Sequence, residues 1–258
     1  MKKFKNKFNL KRKNVYIIGG SGLIGKKIVE ACLQFGGNVI ILDIKKPKIK
    51  NKRLKYIKFN CANSETSERL YGQIIKLHGC PNVYINASYP KTKDWKLSSF
   101  ENIKYKSFKE NLNAHLSSFA WLSKLTANEM KKRNIKGSII NIGSIYGLVG
   151  QDLSLYKGIK SMRENFTYSL IKGALINLTK QMASYYGKHN IRVNCVSPGG
   201  ISDIGQSKKF VKNYSNKVPM KRLAKPEEVA SGVVFLASDS SSYVTGINLL
   251  IDGGWTSI

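Results

Sequence analysis

Acidic side chains are scarce in this chain: 15 Asp and Glu stand against 44 Lys and Arg in 258 residues, a formal net charge of +29. Such an excess admits a polyanionic partner, whether nucleic acid, an anionic membrane surface or an acidic carrier protein. The lysines are not gathered into one stripe, however, and no stacking-aromatic motif of a nucleic-acid module appears. A general lysine and asparagine bias over a solvated surface accounts for the charge better. The densest cluster, Lys2 to Lys13, is expected to be a solvated arm. Long apolar runs are also absent, and none could span a bilayer. The opening Met1 to Phe8 lacks the apolar stretch of a secretory signal, so a cytoplasmic location with no membrane is expected. Cysteine is sparse as well. Cys32, Cys61, Cys80 and Cys195 are scattered with no Cys-x-x-Cys, which argues for reduced thiols and against a metal site. There is no internal repeat and no linker. Residues 14–258 therefore read as one domain behind a basic arm, residues 1–13.

What the chain does have is alternation. Val15 to Ile18 reads as a buried strand, Lys26 to Phe35 as a helix and Asn38 to Asp43 as a second strand. Strands follow at Leu54 to Phe59, Val83 to Asn86, Ser138 to Ile142, Ile191 to Val196 and Ile247 to Ile251. Helices are expected at Glu65 to Leu77, Phe108 to Arg133, Tyr168 to Tyr186 and Pro226 to Ala237, the last begun by proline. This order predicts an α/β fold: a Rossmann-type, doubly wound parallel sheet of about seven strands with helices on both faces.

Two short patterns carry chemistry. Gly19, Gly22 and Gly25 sit where the first strand becomes a helix, and Asp43 closes the next strand about 20 residues on. Glycine there permits a tight turn and close backbone approach to a pyrophosphate, the helix amino end favours the anion, and the acid would accept the ribose hydroxyls. Farther on, Tyr168 and Lys172 lie four apart on one helix face. A fixed cation beside a phenol favours the phenolate and would tune it as a general acid or base.

Taken in order, Gly19 to Gly25, Asp43, Asn86-Ala87-Ser88, Asn111, Ser144, Tyr168 with Lys172, Ile191 to Asn194, Ser197 to Gly200 and Ile251 to Gly254 resemble the short-chain dehydrogenase/reductase family over nearly the whole chain. The resemblance implies hydride transfer between a nicotinamide and a carbinol or carbonyl. Tyr168 would be the acid/base, Lys172 its partner and a ribose ligand, Ser144 a hydrogen-bond partner of the substrate oxygen, and Asn111 the holder of a relay water. It implies cofactor contacts from Gly19, Ser21, Gly22, Leu23, Ile24, Gly25, Asp43, Ile44, Asn60, Cys61, Asn86, Ala87, Ser88, Tyr168, Lys172, Pro198, Gly199, Gly200 and Ile201. The cofactor expected is NAD, with NADP possible because Lys45 and Lys46 follow Asp43; no metal is implied. A homo-tetramer or homo-dimer is the expected assembly.

The departures from the family matter. Ile18 stands where a threonine is usual, Asn86-Ala87-Ser88-Tyr89 keeps only the first Asn of Asn-Asn-Ala-Gly, Asn60 replaces an aspartate, and the threonine that often follows the Pro-Gly pair is missing. The usual spacing from Ser144 points to Tyr156, which with Lys160 makes a second Tyr-x-x-x-Lys. Downstream register favours Tyr168, because the helix from Lys172 reaches Ile191 at the family's distance, and Gly158 interrupts a helix at Tyr156. About residues 150–165 thus read as an insertion on the substrate side. With Asn86 to Pro90 and Asn111 to Leu116, it is similar to bacterial oxidoreductases of flagellin modification and surface-sugar pathways. Its Gln151, Asp152, Ser154, Lys157, Lys160, Ser161, Arg163, Glu164 and Asn165 would suit a polyhydroxylated, anionic sugar better than a fatty acyl chain. A 3-oxoacyl-carrier reductase is the alternative within enzymes. A catalytically idle protein binding nucleic acid is the alternative of another kind. His115 and His189 are expected to pack or face solvent rather than to react.

Overall fold

The computed structural model describes residues 6–159 and 162–258. Seven parallel strands form one sheet in the order β3-β2-β1-β4-β5-β6-β7. They are β1 Asn14–Ile18, β2 Asn38–Asp43, β3 Leu54–Lys58, β4 Val83–Asn86, β5 Gly137–Ile142, β6 Ile191–Pro198 and β7 Asn248–Ile251. The helices are α1 Leu23–Gln34, α2 Ser64–His78, α3 Tyr105–Asn111, α4 Ser117–Lys132, α5 Phe166–Tyr186, α6 Lys208–Lys217 and α7 Pro226–Ala237. The doubly wound fold expected from the alternation is therefore present.

Side-chain alternation explains why both faces are covered. Val15 and Ile17 of β1 join a core with Ile28 and Val29 of α1 and Val229, Val233 and Val234 of α7. Tyr16 and Ile18 point the other way, into a core with Tyr71 of α2, Met130 of α4 and Met182 and Tyr186 of α5. The buried phenols are partnered: Tyr71 shares a 2.7 Å hydrogen bond with Thr126, and Tyr16 donates to the Gly79 carbonyl at 2.6 Å.

After β3 the chain crosses back to place β4 on the other side of β1. The carboxyl ends of β1 and β4 thus flank the point where strand order reverses, which is where ligands of such sheets bind. Three differences from the sequence expectation have physical reasons. Helix α1 begins at Leu23 rather than Lys26, because Gly22 serves as its cap and Gly25 falls in its first turn. The long helix expected at Phe108 to Arg133 starts at Tyr105 and is interrupted by a π-turn, Leu112–Leu116. Residues 9–13 are not a free arm. Leu10 is fully buried, its N–H donates to the Phe35 carbonyl at 2.8 Å, and Lys13 pairs with Asp239 at 2.6 Å. Residues 1–5 lie outside the described residues.

Two glycines test this reading of the turn and the helices. A Cβ at Gly25 would sit 2.0 Å from the Gly19 carbonyl oxygen, whereas one at exposed Gly72 in α2 would meet nothing within 4 Å. Gly72→Ala is expected to raise stability by about 0.5–1 kcal/mol through helix propensity. Gly25→Ala is expected to lower it by about 2 kcal/mol or more because the turn must open. Urea unfolding of the two variants and the parent checks both signs.

Candidate active site

Helix α5 places the pair noted in the sequence. Asn165 caps it, its side-chain oxygen accepting from the Tyr168 N–H at 3.0 Å and its amide donating to the Trp95 carbonyl at 3.3 Å. Tyr168 lies on the first turn and Lys172 one turn on. The Lys172 ammonium is buried, donates to the Ile142 carbonyl at 2.8 Å, and stands 5.0 Å from the Phe119 ring centre and 5.6 Å from that of Tyr168. Ser144 follows β5 directly. Its hydroxyl accepts from the Tyr146 N–H at 3.2 Å and acts on the Tyr168 phenol, favouring its charged form. Gly147 lets this turn lie on α5, since a Cβ there would come within 2.6 Å of the Lys172 carbonyl.

The electrostatics differ from the sequence expectation in one respect. Lys172 was expected to lower the Tyr168 phenol. Burial instead raises it, with the Ser144 hydrogen bond pulling the other way. Burial also brings the Lys172 ammonium down to about 8. Both groups are thus pushed toward their neutral forms in this dry setting.

Asn111 is fully buried at the start of the π-turn. Its side-chain oxygen accepts from the Thr92 N–H at 3.0 Å and its amide donates to the Ser107 hydroxyl at 3.3 Å. The side chain therefore ties down the loop after β4. The π-turn carries His115 to a fully buried position among Tyr89, Trp95 and Phe119, at ring distances of 5.3, 6.4 and 5.4 Å. As expected, it packs. His189 precedes β6, remote in the chain from this cluster.

Sequence reasoning missed the aromatic wall. The rings of Tyr89, Trp95 and Tyr146 lie 5.9, 6.4 and 6.4 Å from that of Tyr168. The available signal was Tyr89 standing in place of a motif glycine. Tyr156 stacks on Phe210, 6.2 Å between ring centres and 13° between planes. Four of the nine polar residues assigned to the substrate from residues 150–165 are spent on structure instead. Gln151 bonds the Asn165 backbone, Asp152 caps Ser154 and pairs with Lys217, Asn165 caps α5, and Glu164 accepts from the Phe100 N–H. Lys160 and Ser161 lie outside the described residues.

The cofactor-side residues line the cleft at β1, β2 and β4. Gly19 has φ +76°, and a Cβ there would strike the Ser88 backbone at 2.5 Å. No side chain caps α1 at Gly22, so the first-turn N–H groups of Leu23 and Ile24 are open to an anion. The Asp43 carboxylate accepts from the Ser21 and Lys45 N–H groups, each at 2.9 Å. Ile44 is exposed beside it. Asn60 accepts from the Ala62 N–H at 3.0 Å, and burial raises the Cys61 thiol. Asn86 is fully buried, with its side chain spent on Ser88, Tyr84 and Ser118. After Pro198 the Gly200 N–H donates to the Tyr214 hydroxyl at 2.5 Å, and Gly199 and Ile201 are tied to β7 and Ala224. This cradle of glycines, open amides and an acid fits a dinucleotide. Among the described residues no group of His, Cys, Asp or Glu could hold a metal, and no helix is long and apolar enough to cross a membrane.

Comparisons with known proteins agree. A family model described as enoyl-(acyl carrier protein) reductase matches residues 21–256. Post-translational flagellin modification protein A of Campylobacter coli is 30% identical over 256 residues, 95% of this chain and 99% of that one. The ribulose-forming D-arabinitol 2-dehydrogenase of Candida tropicalis is 30% identical over 281 residues, 96% and 94% of the two chains. The crystal structure of a short-chain dehydrogenase from Leptospira borgpetersenii with bound NAD+ superposes with a TM-score of 0.87 at 35% identity, covering 96% of this chain and 94% of that one. A nicotinamide-type cleft beside a phenol, hydroxyl and ammonium defines an oxidoreductase site. The chain belongs to the short-chain dehydrogenase/reductase family, and is an NAD(P)-dependent oxidoreductase by class.

The buried ammonium has a consequence for stability. A free lysine titrates near ~10.4. Below pH 8 the folded and unfolded chains both carry the Lys172 charge, and the burial cost is present in full. Between about 8 and about 10 the folded state has released the proton that the unfolded chain still holds, so this group's contribution to stability rises with pH. Lys172→Met removes the cost and is expected to melt higher than the parent at pH 7, by about 1–2 kcal/mol. The gap should shrink toward pH 10. Thermal unfolding of both proteins across that range checks it; a variant that melts lower at pH 7 would show that the Ile142 bond outweighs the burial cost.

Proposed function

We propose that this protein moves a hydride between NAD(H) and a carbinol or carbonyl carbon of a small polyhydroxylated substrate, a sugar or sugar phosphate. Bound NAD(H) would supply or accept the hydride. Tyr168 would give its phenolic proton to the carbonyl oxygen in reduction and take one from the hydroxyl in oxidation. Ser144 would hydrogen-bond the same oxygen, and Lys172 would hold the nicotinamide ribose and return the proton to Tyr168. The observation that carries this reading is the buried Lys172 ammonium 5.6 Å from the centre of the Tyr168 ring, on a helix against which the turn after Ser144 packs. Asn111 is assigned to the site as the residue that fixes the loop carrying Trp95. The cradle residues already described, from Gly19 to Gly25, Asp43 to Ile44, Asn60 to Cys61, Asn86 to Ser88 and Pro198 to Ile201, would receive the dinucleotide.

The sugar reading is supported by the flagellin-modification and arabinitol relatives and by the hydroxyl-bearing aromatic wall. The first of these relatives also supports a place in bacterial surface-glycan or flagellin-glycan synthesis. The alternative, a 3-oxoacyl-carrier reductase, draws on the basic surface and on the description of the matching family model. An idle nucleic-acid binder would have no need to bring Ser144, Tyr168 and Lys172 together. On family grounds we read the protein as a cytoplasmic homo-oligomer.

Two outcomes test the proposal. Asp43 should accept ribose hydroxyls and repel a 2′-phosphate, so NADH is expected to bind about tenfold tighter than NADPH by fluorescence titration. Tighter NADPH binding would refute the assignment of Asp43. Tyr168→Phe should cut kcat by about 10²- to 10⁴-fold while NADH binding stays near that of the parent. The substrate panel for the parent is sugar phosphates, nucleotide sugars, free sugars and 3-oxoacyl thioesters, followed at the nicotinamide band. Turnover confined to thioesters would promote the alternative.

A further inference from the structure

The loop after β4 has two faces. Its Tyr89 and Trp95 rings lie toward Tyr168, at 5.9 and 6.4 Å between centres. Between them, Lys91, Thr92, Lys93 and Asp94 form one side of a cleft of about 540 Å³. Lys104 and, from α3, Lys106, Ser107 and Glu110 form the other. That is the size of a small-molecule site. The gap is fixed from beneath. Buried Asn111 accepts from the Thr92 N–H at 3.0 Å and donates to the Ser107 hydroxyl at 3.3 Å, and that hydroxyl donates to Asp94 at 2.9 Å. The two sides therefore keep a set spacing.

The lining is unbalanced in charge. Four ammonium groups stand against two carboxylates. Glu110 is 4.0 Å from Lys106, and Asp94 is engaged by Ser107. Lys91, Lys93 and Lys104 have no carboxylate within ion-pair distance among the described residues. On a convex surface lysines spread apart into water. Here they line a concavity, where charges of one sign focus their field on whatever enters. A phosphate monoester brings about two negative charges and three acceptor oxygens at neutral pH, so it can meet several ammonium groups at once. The cleft also lies within reach of the reacting phenol. The Lys91 ammonium is 5.6 Å from the Tyr89 ring centre, and that ring is 5.9 Å from the Tyr168 ring. Two such steps match an open-chain sugar phosphate with a hydrogen bond at each end.

We propose that this cleft binds the phosphate group of the substrate, held by Lys91, Lys93 and Lys104, while the carbinol or carbonyl carbon lies at Tyr168. This rests on the reading of Tyr168 and NAD(H) given above and specifies its substrate class as phosphorylated rather than free sugars. The aromatic face of the loop walls the carbon chain, and its basic face takes the anion.

Inorganic phosphate is the first probe. It is titrated calorimetrically, at low and constant ionic strength, into enzyme saturated with NADH, so that the glycine turn is already filled. The parent is compared with Lys91→Gln/Lys93→Gln/Lys104→Gln and with a control, Lys131→Gln/Lys132→Gln/Lys136→Gln. The control lysines are exposed near the amino end of β5, at the opposite edge of the sheet from Ser144, and their loss removes the same charge. Circular dichroism confirms that each variant is folded. The parent is expected to bind phosphate, the cleft variant about tenfold more weakly and the control within about twofold of the parent. No binding to the loaded parent, or equal weakening in both variants, which would mean an ion atmosphere only, overturns the site. Ribulose 5-phosphate against ribulose, and then each such pair in the panel, is the second probe. The parent is expected to favour the phosphorylated sugar in kcat/KM by about 10- to 100-fold. In the cleft variant that ratio should fall toward one, through a rise in KM for the phosphorylated sugar more than a fall in kcat. Equal use of sugar and sugar phosphate by the parent, or an unchanged ratio in the cleft variant, overturns the subsite and leaves the proposed function standing. Turnover of thioesters alone, or of nothing in the panel, removes both.

Discussion

The active site depends on how one ammonium is buried. Lys172 lies inside the protein with its charge opposed by the Ile142 carbonyl and by the faces of Phe119 and Tyr168. Removing a charge from water costs several kcal/mol unless such partners are in place. They come from β5, α4 and α5, so α5 cannot slide on the sheet without exposing or orphaning the ammonium. Ile142 is two residues before Ser144, and Lys172 is one turn after Tyr168. A single hydrogen bond thus sets the relation between the turn that carries Ser144 and the helix that carries Tyr168. Gly143 and Gly147 make the approach possible, since a Cβ at either would collide with Cys195 or with the α5 backbone.

Around this anchor the protein builds a wall of rings rather than of charges. Tyr89, Trp95, Tyr146 and Tyr168 meet edge to face, the arrangement that aromatic quadrupoles favour. The large positive charge of the chain stays mostly outside it, on exposed lysines. A wall of this kind excludes water from the reacting atoms yet keeps phenolic donors available. Burial raises Tyr146 and Tyr156, which keeps them neutral hydrogen-bonding groups at ordinary pH.

Much of this was legible in the sequence, because the governing signals are local. Glycines 19, 22 and 25 are demanded by backbone geometry, Asp43 by a strand end, and the Tyr168–Lys172 pair by helical spacing. The insertion at residues 150–165 was legible as a departure in length, but not its use. Gln151, Asp152 and Asn165 looked like substrate ligands, since a polar side chain in a loop gives no sign of whether it will cap a helix or face a cleft. Tyr156 looked like a decoy, and its ring lies stacked on Phe210. That residue belongs to α6, whose lysine-rich sequence offers only Phe210, Val211 and Tyr214 as apolar residues and so gave little helical signal. The π-turn was invisible for a similar reason: its residues have ordinary helical spacing, and the extra residue per turn is set by packing that brings His115 inside.

The departures from the family pattern can be followed to their replacements. A threonine usually contacts the cofactor from the loop after the Pro-Gly pair. Here that loop is held instead by the Tyr214 hydroxyl on the Gly200 N–H, with Tyr214 stacked on Trp255 at 4.5 Å. A Cβ at Gly200 would enter the Tyr214 ring, so the glycine and the tyrosine require each other. Likewise Asn86 lacks the Asn-Ala-Gly that usually follows, yet its side chain grips Ser88 twice, and Ser88 is the backbone that crowds Gly19. The phosphate turn and the loop that carries Tyr89 are therefore packed as one unit. A change on the cofactor side of the cleft must be felt at the ring that walls the substrate side, because only a glycine's width separates them.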